Sequence, residues 1–203
     1  MTAPSLTALR RSARDCRRCE LYEHATQTVF GKGPAAAELV LVGEQPGDKE
    51  DLEGRPFVGP AGRVLDEALE RAGVQREDVY LTNAVKHFKW RERGKRRLHD
   101  TPRAPELNAC RPWLESELAA IQPSAVLALG AVAARSLFGP KVRVTRDRGR
   151  LLESELAPVA AVTIHPSAVL RIRDREERHA ALDGLVDDLE LVRSELRQGP
   201  VAP

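Results

Sequence analysis

Four short apolar runs constrain this chain more than anything else in its sequence, because each stops at a glycine or a polar residue and all but the last lead into helical periodicity. Glu38 to Val42 (ELVLV) ends at Gly43, and Val79 to Thr82 (VYLT) ends at Asn83. Ala125 to Leu129 (AVLAL) ends at Gly130, and Val159 to Ile164 (VAAVTI) ends at His165-Pro166-Ser167. Runs this short, without polar alternation, read as strands covered on both faces, the pattern of a parallel sheet. Between them, Ala61 to Ala72 places Val64, Leu65, Ala68, Leu69 and Ala72 on one helical face, with Pro60 just before and Gly73 just after. Pro105 to Ile121 aligns Trp113, Leu114, Leu118 and Ile121, and a short helix is expected from Gly130 through Phe138. Arg175 to Arg197 forms a charged amphipathic helix with Leu182, Leu185, Val186, Leu189 and Val192 inward. Strands alternating with helices predict an α/β fold: three layers, α/β/α, around a central, mostly parallel four-stranded sheet. Residues 1–197 are expected to form one domain, including a Cys- and Arg-rich opening segment that wraps it, and 198–203 a flexible tail.

No apolar run approaches the ~20 residues that span a bilayer, and Met1 is not followed by a signal-peptide pattern, so a cytoplasmic protein without membrane contact is expected. Three cysteines cannot close a disulfide framework, and Cys16-x-x-Cys19 reads better as a metal-binding pair. The net charge is only +2, so the molecule is not a polycation; the charge that matters is local. Lys86, Lys89, Arg91, Arg93, Lys95, Arg96 and Arg97 stand against a single Glu92. Such a run is either a solvated surface loop or a loop that neutralises phosphates, and arginine suits bidentate phosphate contact.

Ligands of open parallel sheets bind beyond the carboxyl ends of the strands. Those ends carry Gly43-Glu44-Gln45-Pro46-Gly47-Asp48, then Asn83, then Gly130, then His165-Pro166-Ser167. Singly, each is explained by turns, caps or an ordinary hydrogen-bonded histidine. Together they offer a carboxylate for charge stabilisation, an amide for a base edge and an imidazole for a developing oxyanion. Phe57, within the Gly- and Pro-rich GRPFVGPAG of residues 54–62, is either a hydrophobic plug or a surface for stacking on a nucleobase. No dinucleotide fingerprint or P-loop is present, which weakens a nucleotide-cofactor reading.

GEQPGDKED at 43–51, GRPFVGPAG at 54–62, TNAVK at 82–86, ALGAVAAR at 128–135 and HPSAVL at 165–170 resemble the motifs of the uracil-DNA glycosylase superfamily, in the family's order. With the Cys16/Cys19 start and Ala109-Cys110-Arg111-Pro112-Trp113, they look like its iron–sulfur branch, family 4. The match runs from about Cys16 to Leu191. Gln45 stands where family 4 usually has a small residue, His87 where it has a cysteine, and Lys95-Arg96-Arg97-Leu98-His99 lies in an extra loop. These departures are shared with the covalently trapping UdgX-type subgroup, and the chain is identified as one of its members.

The resemblance implies a [4Fe–4S] cluster on Cys16, Cys19, His87 and Cys110, with a structural role. Zinc would accept the same ligands, so the set alone does not choose the metal. The implied partner is uracil-containing DNA, single-stranded and also double-stranded, bound by a monomer. Phe57 would stack on a flipped uracil, Asn83 would read its polar edge, and His165 would hydrogen-bond O2 as negative charge collects there. Glu44 would stabilise the cationic sugar, with Gln45 and Asp48 shaping the pocket beside Gly43 and Ser167. His99 would then bond to C1′, with Arg97 and its neighbours Lys95 and Arg96 holding the loop against phosphate. Two alternatives remain at this level: a glycosylase of the same fold that turns over with water, and a zinc-containing DNA-binding module without catalysis.

Overall fold

The computed structural model describes residues 4–198, so the tail expected at 198–203 lies, apart from Gln198, outside the described residues. Helix α1 (Leu6–Ala13) starts at Ser5, whose hydroxyl accepts from the Ala8 amide at 3.3 Å, and buries Leu6, Leu9 and Ala13. Strand β1 (Leu39–Gly43) leads through the short α2 (Asp48–Glu53) and α3 (Pro60–Arg71) to β2 (Val79–Asn83). Strands β3 (Trp90–Arg93) and β4 (Arg96–His99) then form an antiparallel hairpin outside the main sheet. The long α4 (Ala104–Ile121) returns the chain to β5 (Ala125–Leu129), followed by α5 (Ala131–Phe138) and the short α6 (Val144–Asp147). Strand β6 (Val159–Thr163), α7 (Pro166–Arg171) and α8 (Arg175–Gln198) complete the domain.

The main sheet has four strands in the order β2-β1-β5-β6, and every neighbouring pair is parallel. All residues of these strands are buried, and successive side chains go to opposite faces. Val40, Val42, Tyr80, Val126, Ala128 and Val162 join the core shared with α1 and α4. Leu39, Leu41, Leu81, Leu127 and Ala161 join the opposite core, built with Leu65 and Leu69 of α3 and Leu185 and Leu189 of α8. That is the α/β/α sandwich the strand pattern predicts. Each fully buried leucine contributes about 1.5–3 kcal/mol to it. The register pairs Gly43 with Asn83 and Leu129 with Thr163, so the strands all end at one edge.

Two features depart from the sequence reading. The basic run is not a loop: β3 and β4 are joined by a two-residue turn whose Gly94 takes φ 60°, a value that favours glycine. Its first lysines are not solvated either. Lys86 is fully buried, donating to Glu117 Oε2 at 2.5 Å, to Thr82 Oγ1 at 2.7 Å and to the Asn83 carbonyl at 2.8 Å. Glu117, also fully buried, accepts in addition from Tyr80 and from the Gly31 amide. An ion pair so deep is tolerated only when such hydrogen bonds satisfy both partners. The opening segment wraps the domain edge, where Lys32 pairs with Leu81 of β2 and the Val29 amide donates to the Lys86 carbonyl at 2.7 Å.

Candidate active site

The exits of β1 and β2 are zipped together: Ala84 N donates to the Gly43 carbonyl at 2.8 Å and Val85 N to the Glu44 carbonyl at 3.0 Å. Asn83 is thereby fixed beside Gly43. A Cβ at Gly43 would stand 2.4 Å from Asn83 Oδ1 and 2.7 Å from Phe57 Cζ, so only glycine lets the amide and the ring close on this point. Phe57 is buried, not exposed, and its backbone takes φ 54°, sparsely populated for a non-glycine residue. Arg76 holds it there by donating to its carbonyl at 2.9 Å. Strain held in place by surrounding contacts is characteristic of functional positions. The Phe57 ring lies stacked near His165, with centroids 6.2 Å apart and planes 29° apart.

His165 begins α7. The Ser167 amide donates to its Nδ1 at 3.1 Å and the Ser167 hydroxyl lies 2.8 Å from the same atom. Nδ1 is therefore an acceptor, so the neutral ring carries its proton on Nε2. Burial, with His99 and Arg171 nearby, lowers its pKa to about 4, which keeps it neutral at physiological pH. Gly130, at φ 91°, lets β5 pass close: a Cβ there would sit 2.9 Å from His165 Cβ. The result is a neutral N–H donor held rigidly at the sheet edge.

Glu44 Oε1 is buried and has no hydrogen-bond partner. Desolvation pushes the Glu44 pKa up, opposed by the Arg135 and Arg171 cations. His99 Nε2 stands 3.5 Å from that oxygen. The His99 side chain is about half exposed, and its pKa is lowered, first by desolvation and then by the Arg171 cation, which favours the neutral imidazole. Glu44, Asn83, Phe57, His165 and His99 thus come together. Of the cations that Glu44 senses, Arg135 closes the ALGAVAAR stretch but was given no role there, and Arg171 had no signal in the sequence beyond its charge.

Gln45, Arg97 and Asp48 serve this site differently from the expectation. The Gln45 amide is engaged with backbone, donating to the carbonyls of Lys89 (3.1 Å) and Asp100 (3.0 Å) and accepting from Lys89 N (2.9 Å). It clasps the two feet of the hairpin. Arg97 faces protein and not solvent phosphate: it donates to Asp48 Oδ1 and Asp51 Oδ2, both at 2.6 Å, and lies over the Phe88 and Trp90 rings. Asp48 acts through that pairing, on the hairpin. Lys95 and Arg96 at the turn remain exposed.

Of the expected metal ligands, the three cysteines gather. Cys110 senses the charges of both Cys16 and Cys19, and its thiol is pushed up to about 11 by burial. Trp113 Nε1 donates to Cys16 Sγ and Lys86 N to Cys110 Sγ, each at 3.2 Å. Hydrogen bonds of this kind tune cluster sulfurs. His87, buried and held neutral by that burial, has Nε2 2.9 Å from the Thr28 hydroxyl, which leaves Nδ1 as the nitrogen for a metal. Among the described residues no three such side chains close on a single ion.

The chain is 38% identical over 185 residues to a type-4 uracil-DNA glycosylase of Thermotoga maritima, covering 90% of each chain. It is 39% identical over 181 residues to the type-4 enzyme of Archaeoglobus fulgidus, covering 85% of this chain and 87% of the relative. It is 37% identical over 173 residues to that of Pyrobaculum aerophilum, covering 82% and 85%. Residues 30–190 match the family model described as the uracil DNA glycosylase superfamily, and to that superfamily the chain belongs.

Proposed function

We propose that this chain excises uracil from DNA and that His99 then captures the sugar by bonding to C1′, as in UdgX-type glycosylases. The observation that carries the second half is the position of His99: a neutral imidazole, on a hairpin pinned by Gln45 and Arg97, 3.5 Å from Glu44. In this reading uracil, flipped from the strand, lies against Phe57, and Asn83 reads its polar edge. The Nε2–H of His165 donates to O2. Glu44 faces the sugar as it turns cationic. The glycosidic electron pair leaves with uracil, and the Nε2 lone pair of His99 forms the new bond to C1′. The proton on His99 Nδ1 passes to solvent. Proximity of this kind is worth several powers of ten in rate over bulk reactants. The exposed Lys95 and Arg96 would meet the DNA backbone.

Cys16, Cys19, Cys110 and His87 would hold a [4Fe–4S] cluster, whose contribution is to fasten the opening segment to α4 and the start of the hairpin. Replacing one thiolate by imidazole makes such a cluster less negative and raises its potential. Anaerobically purified protein is expected to be brown and to contain about 4 iron and about 4 sulfide per chain. Stoichiometric zinc without iron would refute the cluster.

The relatives are named type-4 uracil-DNA glycosylases, and a glycosylase that turns over with water fits those names at least as well as capture does. Mixing the protein with a uracil-containing single-stranded oligonucleotide and running a denaturing gel separates the two readings. Capture gives a heat-resistant band at the summed mass of protein and DNA, whereas turnover gives free abasic DNA and no shifted band.

A further inference from the structure

The feet of the His99 hairpin meet at Lys89 and Asp100, where the Asp100 amide donates to the Lys89 carbonyl at 3.0 Å. Lys89 is a second lysine taken out of solvent, its side chain only 10% exposed. Its ammonium lies 2.9 Å from Glu106 Oε1 and 3.0 Å from Oε2, with Asp100 Oδ2 at 3.9 Å. Glu106, in the first turn of α4, is just as buried and also accepts from the amide of Arg103, where the chain leaving the hairpin turns into the helix. One carboxylate on α4 therefore holds both the strand entering the hairpin and the segment leaving it. Cys110, one helical turn further along α4, belongs to the metal segment.

Neither Lys89 nor Glu106 is among the groups gathered around Glu44, and the groups assigned to bond cleavage are carried by the exits of β1, β2 and β6 and by the Phe57 loop between α2 and α3. The pair holds the two feet of the hairpin that carries His99, and its side chains touch none of the other reacting groups; the Lys89 backbone is gripped separately by Gln45. We infer that the Lys89–Glu106 ion pair is a positioning device for His99, setting how many excision events end in capture and how many end with water. This rests on the capture reading of His99. Its physical basis is that the imidazole must already lie within bonding reach when the short-lived sugar cation forms. A misplacement of about 1 Å can cost about 10²-fold in such a step. Lysine is needed because a buried carboxylate without a cation or full hydrogen bonding rearranges to find one.

The test uses the full-length protein with its metal and a uracil-containing single-stranded oligonucleotide, measuring released uracil and denaturant-resistant adduct in the same samples. Lys89→Gln is expected to release uracil at close to the unaltered rate, while adduct per uracil released falls at least about 10-fold. Lys89→Arg, which keeps the cation, should restore most of the capture. Should Lys89→Gln not fold, Glu106→Gln, which is nearly isosteric, is expected to shift the same ratio in the same direction. An unchanged adduct-to-uracil ratio in these variants overturns the inference and leaves capture by His99 standing. Loss of release and adduct in equal proportion overturns it too, since that marks a merely structural pair. Absence of adduct from the unaltered chain overturns the capture reading itself.

Discussion

Glu44→Gln is expected to slow uracil release about 10²–10³-fold, with adduct formation falling in step, because the adduct requires cleavage first. The substitution preserves shape and removes charge. Glu44 Oε1 is buried without a hydrogen-bond partner, so its negative charge is not neutralised by a contact and is available to a cationic sugar. Gln offers only a dipole there. The same vacant acceptor is a stability liability. Burial raises the Glu44 pKa above the ordinary carboxylate value, so the folded state binds the proton more tightly than the unfolded chain. Glu44 therefore destabilises the fold at neutral pH, and that penalty is relieved as pH falls through its raised pKa. Glu44→Gln should accordingly unfold at a higher temperature at pH 7 while being the slower enzyme. Single-turnover uracil release and thermal unfolding check both halves. A variant that is as fast as the unaltered chain would remove Glu44 from the chemistry.

The four apolar runs announced the sheet because strands buried on both faces leave a local signature that no neighbour has to supply. Their exits were legible as neighbours for the same reason, since the parallel topology brings them to one edge. The hairpin left no such signature. Trp90–Arg93 and Arg96–His99 are charged and mostly exposed, so neither carries apolar alternation, and only Gly94 marks the turn. Lys86 and Lys89 looked like parts of a solvated run because their partners, Glu117 and Glu106, lie well downstream on α4. Gln45 and Arg97 were legible as residues near the site but not in their roles. Whether an amide or a guanidinium faces a ligand or holds a loop depends on distances that only the folded chain fixes. Phe57 was ambiguous between plug and stacking surface. Burial alone would favour the plug, but the positive φ and the His165 ring beside it favour a held surface.

His99→Ser is expected to abolish the denaturant-resistant adduct while leaving uracil release measurable. In the proposed reading cleavage falls to Glu44, Asn83 and His165 at the strand exits and to Phe57 on the loop held by Arg76, and none of them requires the imidazole. Glu44 is packed by the exit of β1, Asn83 by the Lys86 contact to its carbonyl, and His165 by Ser167 and Gly130. The hairpin also keeps its clasps, because Gln45 and Arg97 grip Lys89, Asp100, Asp48 and Asp51 and not His99. Serine is smaller, so water can occupy the space beside Glu44. Its neutral hydroxyl is a far weaker nucleophile than imidazole unless a base activates it. The variant should therefore become a turnover glycosylase that leaves abasic DNA. In the unaltered chain, capture needs an unprotonated ring. Burial and Arg171 lower the His99 pKa, so adduct formation should persist below the ordinary imidazole value of about 6.5 and fail only once the ring charges. Release measured in parallel separates that loss from any acid effect on Glu44. An adduct that survives in His99→Ser, under denaturing conditions and at full yield, would assign the nucleophile to another residue.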